Sequence, residues 1–169
     1  MGDLDLKKLD TDLRKGEVPG DLFSGIDVAD PATILIIMWA GRLSRRVEAF
    51  YQERLRVYDL HYSDYSVLTL LLFSGAMSPK QINSYLAITS GGLTKSIQRL
   101  EKAGMLKREA DPNDGRGTRL SLTKQGDKIV TKIFQEDVNT HEGLFQGISS
   151  SKRKRIAGSL RDLLDVFER

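Results

Sequence analysis

Cysteine is absent from this chain of 169 residues. Its absence excludes disulfides, thiolate metal sites and redox sensing by a cysteine. The two histidines, His61 and His141, lie far apart in the sequence. We also find no metal-ligand cluster, no phosphate-cradling loop and no nucleophile paired with a base. We therefore expect no metal and no cofactor, and we do not expect an enzyme.

Long hydrophobic runs are missing as well. Although 40% of the residues are hydrophobic, no run approaches the roughly 20 apolar residues that a membrane helix needs. The N-terminus lacks the charged, apolar and small-residue succession of a signal peptide. The sequence therefore predicts a cytoplasmic protein without a membrane partner, folded as one domain of ordinary size or as a domain with helical arms.

Acidic and basic residues are unevenly distributed, although the net charge is only +3. Residues 1–30 contain eight acidic and four basic residues, whereas residues 76–132 contain eleven basic and five acidic ones. We interpret residues 1–30 as an acidic arm that forms a short amphipathic helix and then a loop. The basic excess would attract phosphate groups, although a charge-rich segment is most often a solvated face.

The segment from Ser90 to Lys102 has the pattern of an amphipathic helix. Thr89 or Ser90 can cap its start, and Gly104 suits the left-handed position just past its end. One face is apolar at the spacing i, i+4 and i+7: Leu93, Ile97 and Leu100. The opposite face is polar or lacks a side chain: Gly91, Thr94, Lys95, Gln98 and Lys102.

A shorter helix precedes this one from about Ser78, and a β-hairpin is predicted to follow it. Apolar and polar residues alternate between Leu106 and Leu122, around a turn-forming tip at residues 111–117. Arg116 lies in the tip, and Asp114 would orient it through a salt bridge. Helix, turn, helix and hairpin together form a winged helix-turn-helix, which binds duplex DNA.

Several motifs, taken in this order, resemble the MarR family of bacterial transcriptional regulators. The resemblance covers the chain from about Pro31 onward and is nearest to the branch of PecS-type regulators. The motifs are Ser90-Gly91-Gly92-Leu93-Thr94, Arg99-Leu100-Glu101-Lys102-Ala103-Gly104-Met105-Leu106, Arg108, Asp111-Pro112, Asp114-Gly115-Arg116-Gly117 and Leu122-Thr123-Lys124-Gln125-Gly126.

The resemblance implies a homodimer that binds a palindromic operator in double-stranded DNA, and it favours a repressor. It also implies a small aromatic or anionic effector that weakens DNA binding. Two departures from the family pattern matter. Asn113 stands where the family usually has an arginine, and Ser66 and Ser96 stand where the urate-responsive branch has an acidic residue and an arginine. Urate is therefore disfavoured as the effector.

The predicted DNA contacts follow from the helix pattern and the resemblance together. The helix from Ser90 to Lys102 would enter the major groove, and Arg116 would enter the minor groove. The alternative is a winged-helix module that binds protein or RNA instead. The predicted DNA-binding residues are Ser78, Lys80, Ser90, Gly91, Thr94, Lys95, Gln98, Arg99, Arg108, Asp114, Arg116 and Arg119.

The flanking segments predict helices for dimerisation: Ala32 to about Tyr58, about Thr123 to His141, and Ser149 or Ser150 onward. The last one carries an apolar stripe with little left to pack on in its own domain. The stripe comprises Ile156, Leu160, Leu163, Leu164 and Phe167. We thus predict a mainly α fold with a small β-hairpin wing: an acidic arm at 1–30, a helical dimerisation region at 31–58 and 125–169, and a winged helix-turn-helix at 59–124.

One more helix is predicted from Ser63 to Phe73, with Ser63 as its cap. Aromatic residues surround its start, in the region where the resemblance places an effector. The predicted ligand contacts are Trp39, His61, Tyr62 and Tyr65. The alternative is ordinary core packing of aromatic side chains.

The basic run from Lys152 to Arg155 falls in the first turn of the last helix, where the helix dipole disfavours cations. We interpret the run as a solvated helix end or as a partner of the acidic arm. A nucleic-acid-binding tail is the alternative.

Overall fold

The helices expected from Ala32 onward are present in a computed structural model that describes residues 11–12, 15, 30–86, 88–112 and 114–168. The chain divides into two units, Met1–Asp59 and Leu60–Arg169. The acidic arm expected at 1–30 falls almost entirely outside the described residues.

The first unit contains helix α1 (Pro31–Leu55), which continues into one 3₁₀ turn, Arg56–Tyr58. The carboxylate of Asp30 caps α1 by accepting a hydrogen bond from the backbone N–H of Ala32 at 2.9 Å. Proline suits the first helical position because it has no backbone N–H to leave unpaired. The predicted helix over 32–58 is therefore correct, with its last turn tightened.

The second unit holds the remaining helices and the hairpin, and a buried core surrounds α2. The core-forming α2 packs against α3, α4, α5 and β2. Side chains with at most 2% exposure include Val67, Leu68, Leu71, Ile82, Leu100, Leu120 and Val130. The elements are α2 (Tyr62–Ser74), α3 (Pro79–Leu86), α4 (Ser90–Lys102), β1 (Leu106–Asp111), β2 (Asp114–Leu122), α5 (Lys124–Leu144) and α6 (Ser150–Phe167).

The start of α2 differs from the sequence prediction. Ser63 was expected to cap the helix, but the N-cap position is His61. The carboxylate of Asp64 reaches back and accepts a hydrogen bond from the backbone N–H of His61 at 3.1 Å. An acidic side chain three residues into a helix can satisfy the cap residue in this way, so Asp64 rather than Ser63 fixes where α2 begins.

The hairpin is tighter than expected. Strands β1 and β2 pair antiparallel with Leu106 opposite Leu122 and Arg108 opposite Leu120. The tip was expected to span residues 111–117, but pairing continues until Asp111 lies opposite Asp114. A register shift after Ala110 allows this continuation.

A third stretch of backbone joins the hairpin, which the sequence did not predict. Met77 exchanges two backbone hydrogen bonds with Leu120, at 3.1 and 2.8 Å. This isolated bridge lies on the connection from α2 to α3. The bridge connects β2, near the base of the hairpin, to the segment between α2 and α3.

One node joins α4, the wing and α5. Gly104 adopts the left-handed conformation with φ 69° after α4, as the sequence predicted. The hydroxyl of Thr123 donates to the carbonyl of Gly104 at 2.6 Å and accepts from the backbone N–H of Gly126 at 3.0 Å. A Cβ atom at position 126 would collide with the carbonyl of Met105, so glycine is required for this approach.

Candidate nucleic-acid interface

Helix α4 has one buried and one exposed face, as its sequence predicted. Leu93 and Ile97 are each 4% exposed and Leu100 is fully buried. The hydroxyl of Thr89 accepts a hydrogen bond from the backbone N–H of Gly92 at 3.1 Å and caps the helix. The polar face is exposed to solvent along the length of the helix: Gly91, Thr94, Lys95, Gln98 and Lys102.

A buried polar cluster fixes α4 to α2. Arg99 donates from Nε and Nη2 to the two carboxylate oxygens of Asp64, at 2.9 and 2.6 Å. The Asp64 side chain is 1% exposed, whereas that of Arg99 is 41% exposed. Hydrogen bonding to Asp64 raises the pKa of the Arg99 guanidinium above its ordinary value, and partial burial opposes the rise. Arg99 therefore stays charged and holds the two helices together in a bidentate pair.

Two serines complete this cluster. The Ser96 hydroxyl donates to the Ser63 hydroxyl at 3.0 Å and accepts from Arg99 Nη2 at 3.1 Å. Ser96 is fully buried, so its polar group needs these partners. Sequence reasoning missed this role of Asp64, Ser63 and Ser96. The available signal was a serine within the apolar stripe of α4, next to Ile97, because a buried hydroxyl implies a polar partner.

The start of α3 contains two of the predicted DNA contacts. Ser78 accepts from the backbone N–H of Gln81 at 3.3 Å, and Gln81 Oε1 accepts from the backbone N–H of Ser78 at 2.9 Å. This reciprocal pair caps the helix. Lys80 is exposed in the first turn. Ser78 therefore has a defined structural role besides any contact with DNA.

Thr94 and Ser90 are linked along α4. The Thr94 hydroxyl donates to the backbone carbonyl of Ser90 at 2.9 Å. A hydroxyl that donates within its own helix still has lone pairs that can accept a hydrogen bond. Thr94 is therefore best suited to accept from a base amino group, whereas the exposed Lys95 can only donate.

Two predicted contacts in the wing are held by intramolecular partners. Arg108 on β1 donates to both carboxylate oxygens of Glu101 on α4, at 2.7 and 3.3 Å. Arg119 on β2 is half-buried and donates to the backbone carbonyl of Ala76. Arg108 fastens the wing to α4, and Arg119 fastens it to the connection between α2 and α3. At Asp114, Gly115 and Arg116 the structure defines the backbone of β2 and not the side chains.

The predicted ligand residues lie on both units. Trp39 is on α1, where the guanidinium of Arg42 lies 5.4 Å from the centre of its ring. His61 is exposed, and the backbone carbonyl of Tyr62 accepts from the hydroxyl of Ser66 at 2.9 Å. Tyr65 is 5% exposed. Its hydroxyl donates at 2.6 Å to the carboxylate of Asp137. Tyr65 therefore links α2 to α5 through a buried hydrogen bond.

Within the described residues, no group of three metal-ligating side chains is close enough to hold an ion. In that part of the chain, no helix is long and apolar enough to cross a membrane. The polar face of α4 with the wing beside it remains the candidate site.

Comparison with known proteins identifies the winged region. Residues 58–117 match the sequence profile of the MarR family. The chain is 33% identical over 94 residues to the uncharacterized HTH-type transcriptional regulator YkoM of Bacillus subtilis, a match that spans 56% of this chain and 61% of YkoM. It is 26% identical over 134 residues to the HTH-type transcriptional regulator PecS of Dickeya dadantii, which spans 78% of this chain and 81% of PecS.

A solved structure shares the fold. A mutant MarR of Escherichia coli complexed with operator DNA superposes with a TM-score of 0.69 at 21% identity, over 82% of this chain and 99% of that one. The mainly α winged-helix fold predicted from the sequence is therefore confirmed. The profile match, the two regulators above and this structure agree: the winged region at residues 58–117 is of the MarR type, and the chain is similar to helix-turn-helix transcriptional regulators.

Proposed function

We propose that this protein is a homodimeric regulator, most simply a repressor, that binds a palindromic operator in double-stranded DNA. The observation that carries the proposal is the division of α4 into two faces. Its apolar face is buried, and its position is fixed by the bidentate pair of Arg99 and Asp64. Its opposite face exposes Thr94, Lys95 and Gln98 along one helix, which is the arrangement that reads base edges in a major groove.

The residues of the interface divide into two roles. Lys95 and Gln98, with Ser90 and Thr94, would contact base edges or flanking phosphates, and Gly91 would allow close approach of the DNA backbone. Lys80 would contact phosphate, and Arg116 would enter the minor groove. Arg99, Arg108 and Arg119 would mainly hold α4 and the wing in register, because each already donates to an intramolecular acceptor.

Dimerisation is proposed from the exposed apolar residues of α6. Ile156, Leu160, Leu164 and Phe167 are between 38% and 67% exposed. Apolar side chains at this spacing favour burial against another surface. Pairing with α1 of a second chain, related by a twofold axis, would bury them and place two α4 helices on one face of the DNA.

The first test is binding of the purified protein to the intergenic duplex next to its own gene, at several salt concentrations, against random duplex of equal length. We expect selective binding by two chains per duplex. Equal affinity for both duplexes, lost steeply with salt, would instead indicate phosphate attraction alone. Selective binding to single-stranded RNA would favour the alternative, a winged-helix module that binds RNA.

Gln98→Ala tests base reading. We expect it to lose discrimination at one or two operator positions by about 1–3 kcal/mol, the value of a bidentate contact to a base. Lys102→Ala, at the far end of the same exposed face, is the control and should weaken binding evenly across sequences. A uniform loss for Gln98→Ala would reassign Gln98 to phosphate.

Ligand control is proposed at His61, Tyr62 and Tyr65 in the second unit, whereas Trp39, in the first unit, stays a prediction from the sequence. An effector can weaken DNA binding only by preferring a conformation in which the recognition helices are wrongly spaced. His61→Ala should reduce the response to a small aromatic or anionic effector without changing operator affinity. Tyr65→Phe is less informative because it also removes a buried hydrogen bond to Asp137. An unchanged effector response in His61→Ala would remove this histidine from the site.

A further inference from the structure

Helix α6 makes few packed contacts with the other described residues of the chain. None of its residues, 150–167, is buried, and all of them are described. A helix in this situation takes its direction from the turn that precedes it, because no packed side chains resist its rotation. The geometry of the corner between α5 and α6 therefore decides where the dimerisation helix points.

Arg153 holds that corner through three separate nitrogen atoms. Nε donates to the carbonyl of Ile148 at 2.9 Å, and Nη2 donates to the carbonyl of Phe145 at 2.9 Å. Nη1 donates to the carboxylate of Glu142 on α5 at 2.9 Å. The guanidinium also lies 5.9 Å from the centre of the Phe145 ring. One side chain on α6 thus binds both the end of α5 and the connecting turn.

The surroundings show that this contact is specific to Arg153. Its side chain is 34% exposed, whereas its basic neighbours Lys152, Lys154 and Arg155 are exposed. The turn itself contains Gly147 at φ 85°. Backbone hydrogen bonds run within it from Gln146 to Gly143 and from Ile148 to Phe145, and the planar guanidinium adds a donor to the carbonyl groups of Phe145 and Ile148 at once.

We propose that Arg153 is a positioning residue for operator binding. Its grip on Glu142, Phe145 and Ile148 fixes the angle between α5 and α6. Helix α5 is joined to the winged helix-turn-helix at its start, where the Thr123 hydroxyl donates to the carbonyl of Gly104, and further along, where the Tyr65 hydroxyl donates to Asp137. The angle therefore sets the distance between the two α4 helices of a dimer and so the spacing of operator half-sites. This inference rests on the proposed function.

The angle can be measured without DNA. Because the chain has no native cysteine, Lys128→Cys on α5 and Asp162→Cys on α6 give the only two labelling sites for spin labels. Doubly labelled chains diluted into unlabelled protein report the distance within one chain. We expect a narrow distribution for the parent protein and for Lys154→Ala, which removes the same charge at the next position. Arg153→Ala should broaden the distribution, and Arg153→Lys should be intermediate because one ammonium cannot reach three acceptors.

The consequence for DNA is measured on duplexes whose half-sites are moved apart or together by one or two base pairs. We expect Arg153→Ala to lose about tenfold of the preference for the native spacing, the effect of a lost charged hydrogen bond. Its affinity for an isolated half-site should not change, which separates positioning from general loss of structure. Lys154→Ala should keep the spacing preference.

Two results would overturn the inference. A distance distribution in Arg153→Ala as narrow as in Lys154→Ala would mean that Arg153 does not fix the angle. A broadened distribution with an unchanged spacing preference would mean that the angle does not position the DNA-binding helices. If the parent protein binds no duplex selectively, the proposed function fails, and the distances within the chain still decide whether Arg153 fixes the corner.

Discussion

Helices α4 and α6 are both amphipathic, but within the described residues only α4 has its apolar stripe buried. The apolar stripe of α4 is buried, and Arg99 adds a bidentate pair to a buried carboxylate. The apolar stripe of α6 is exposed, and Arg153 holds only the start of the helix. The comparison teaches that a sequence pattern shows which face of a helix is apolar. It does not show whether that face is buried by the same chain, because this depends on the fold.

The largest contrast is expected between Leu100→Ala in α4 and Leu160→Ala in α6. Leu100 is fully buried and Leu160 is 45% exposed. Leu100→Ala should lower the free energy of unfolding by about 2–5 kcal/mol at every protein concentration, because it leaves a cavity. Leu160→Ala should mainly reduce the increase of stability with protein concentration, as expected if this side chain is a dimer contact.

Urea unfolding at several protein concentrations checks this pair, with sedimentation to report the oligomeric state. A concentration-independent loss of several kcal/mol for Leu160→Ala would show that α6 is packed within its own chain. The proposed difference between the packing of α4 and that of α6 would then be wrong.

Asp64→Ala is expected to have the next largest effect. It removes the partner of Arg99 and the acceptor for the backbone N–H of His61. We expect a loss of about 2–3 kcal/mol in the free energy of unfolding, less than for a fully buried pair because Arg99 is 41% exposed. Asp165→Ala, which removes the 2.9 Å pair with Arg161 on α6, is the control and should cause a change too small to resolve.

Arg99→Lys separates anchoring from DNA contact. A lysine keeps the charge for phosphate but cannot form the bidentate pair. If Arg99 acts mainly as an anchor, this variant should lose stability measurably and lose operator affinity in proportion. Full stability with reduced affinity would restore Arg99 as a direct DNA contact.

Two exposed glycines give a matched test of moderate size. Of the described atoms, none beyond the immediate neighbours lies within 4 Å of a Cβ built on Gly91 in α4 or on Gly158 in α6. Replacing either by alanine should stabilise the chain by up to about 1 kcal/mol, the difference in helix propensity. Only Gly91→Ala should weaken operator binding, since it would obstruct a close backbone approach. Thermal unfolding and operator titration of both variants decide the point, and equal operator affinity would make Gly91 irrelevant to DNA.

The smallest effect is expected in the wing. The ion pair with Lys107 lowers the pKa of Glu109 below its ordinary value. Because the pKa of Glu109 is lower in the folded than in the unfolded chain, its ionised carboxylate stabilises the fold. This stabilisation is fully present above the unfolded pKa and is lost as the pH falls through the folded pKa. Because Glu109 is exposed, Glu109→Gln should change the acid unfolding midpoint only slightly. A titration of the Glu109 carboxyl by NMR should show a pKa below that of a model peptide.

Much of the fold was predictable because the local signals agree. Thr89, Gly104, Thr123 and Ser149 fulfil the capping roles that their residue types favour. The cap of α2 was predicted wrongly because Ser63 is a better capping residue by type than His61. What decided the outcome was Asp64, whose carboxylate serves both the His61 backbone and the Arg99 guanidinium, and no local pattern reports a partner 35 residues away.

The candidate site divides in the same way. The exposed face of α4 follows from helical periodicity alone, so Lys95 and Gln98 lie where the sequence placed them. The arginines do not follow from periodicity, because a long charged side chain can reach either solvent or a nearby acceptor. Arg108 reaches Glu101, and Arg119 reaches the carbonyl of Ala76. We predicted these arginines as DNA contacts from the resemblance to a family, which does not indicate their intramolecular partners.

The node at Thr123 also bears on how the chain folds. The Thr123 hydroxyl reaches the carbonyl of Gly104 across only 19 residues of sequence, so closing this loop costs little chain entropy. Contacts of short sequence separation form quickly. We therefore expect the segment from α4 through the wing to the start of α5 to acquire its structure early in folding, before α6 finds any partner. A nascent chain would then form its winged helix-turn-helix before the proposed dimerisation through α6.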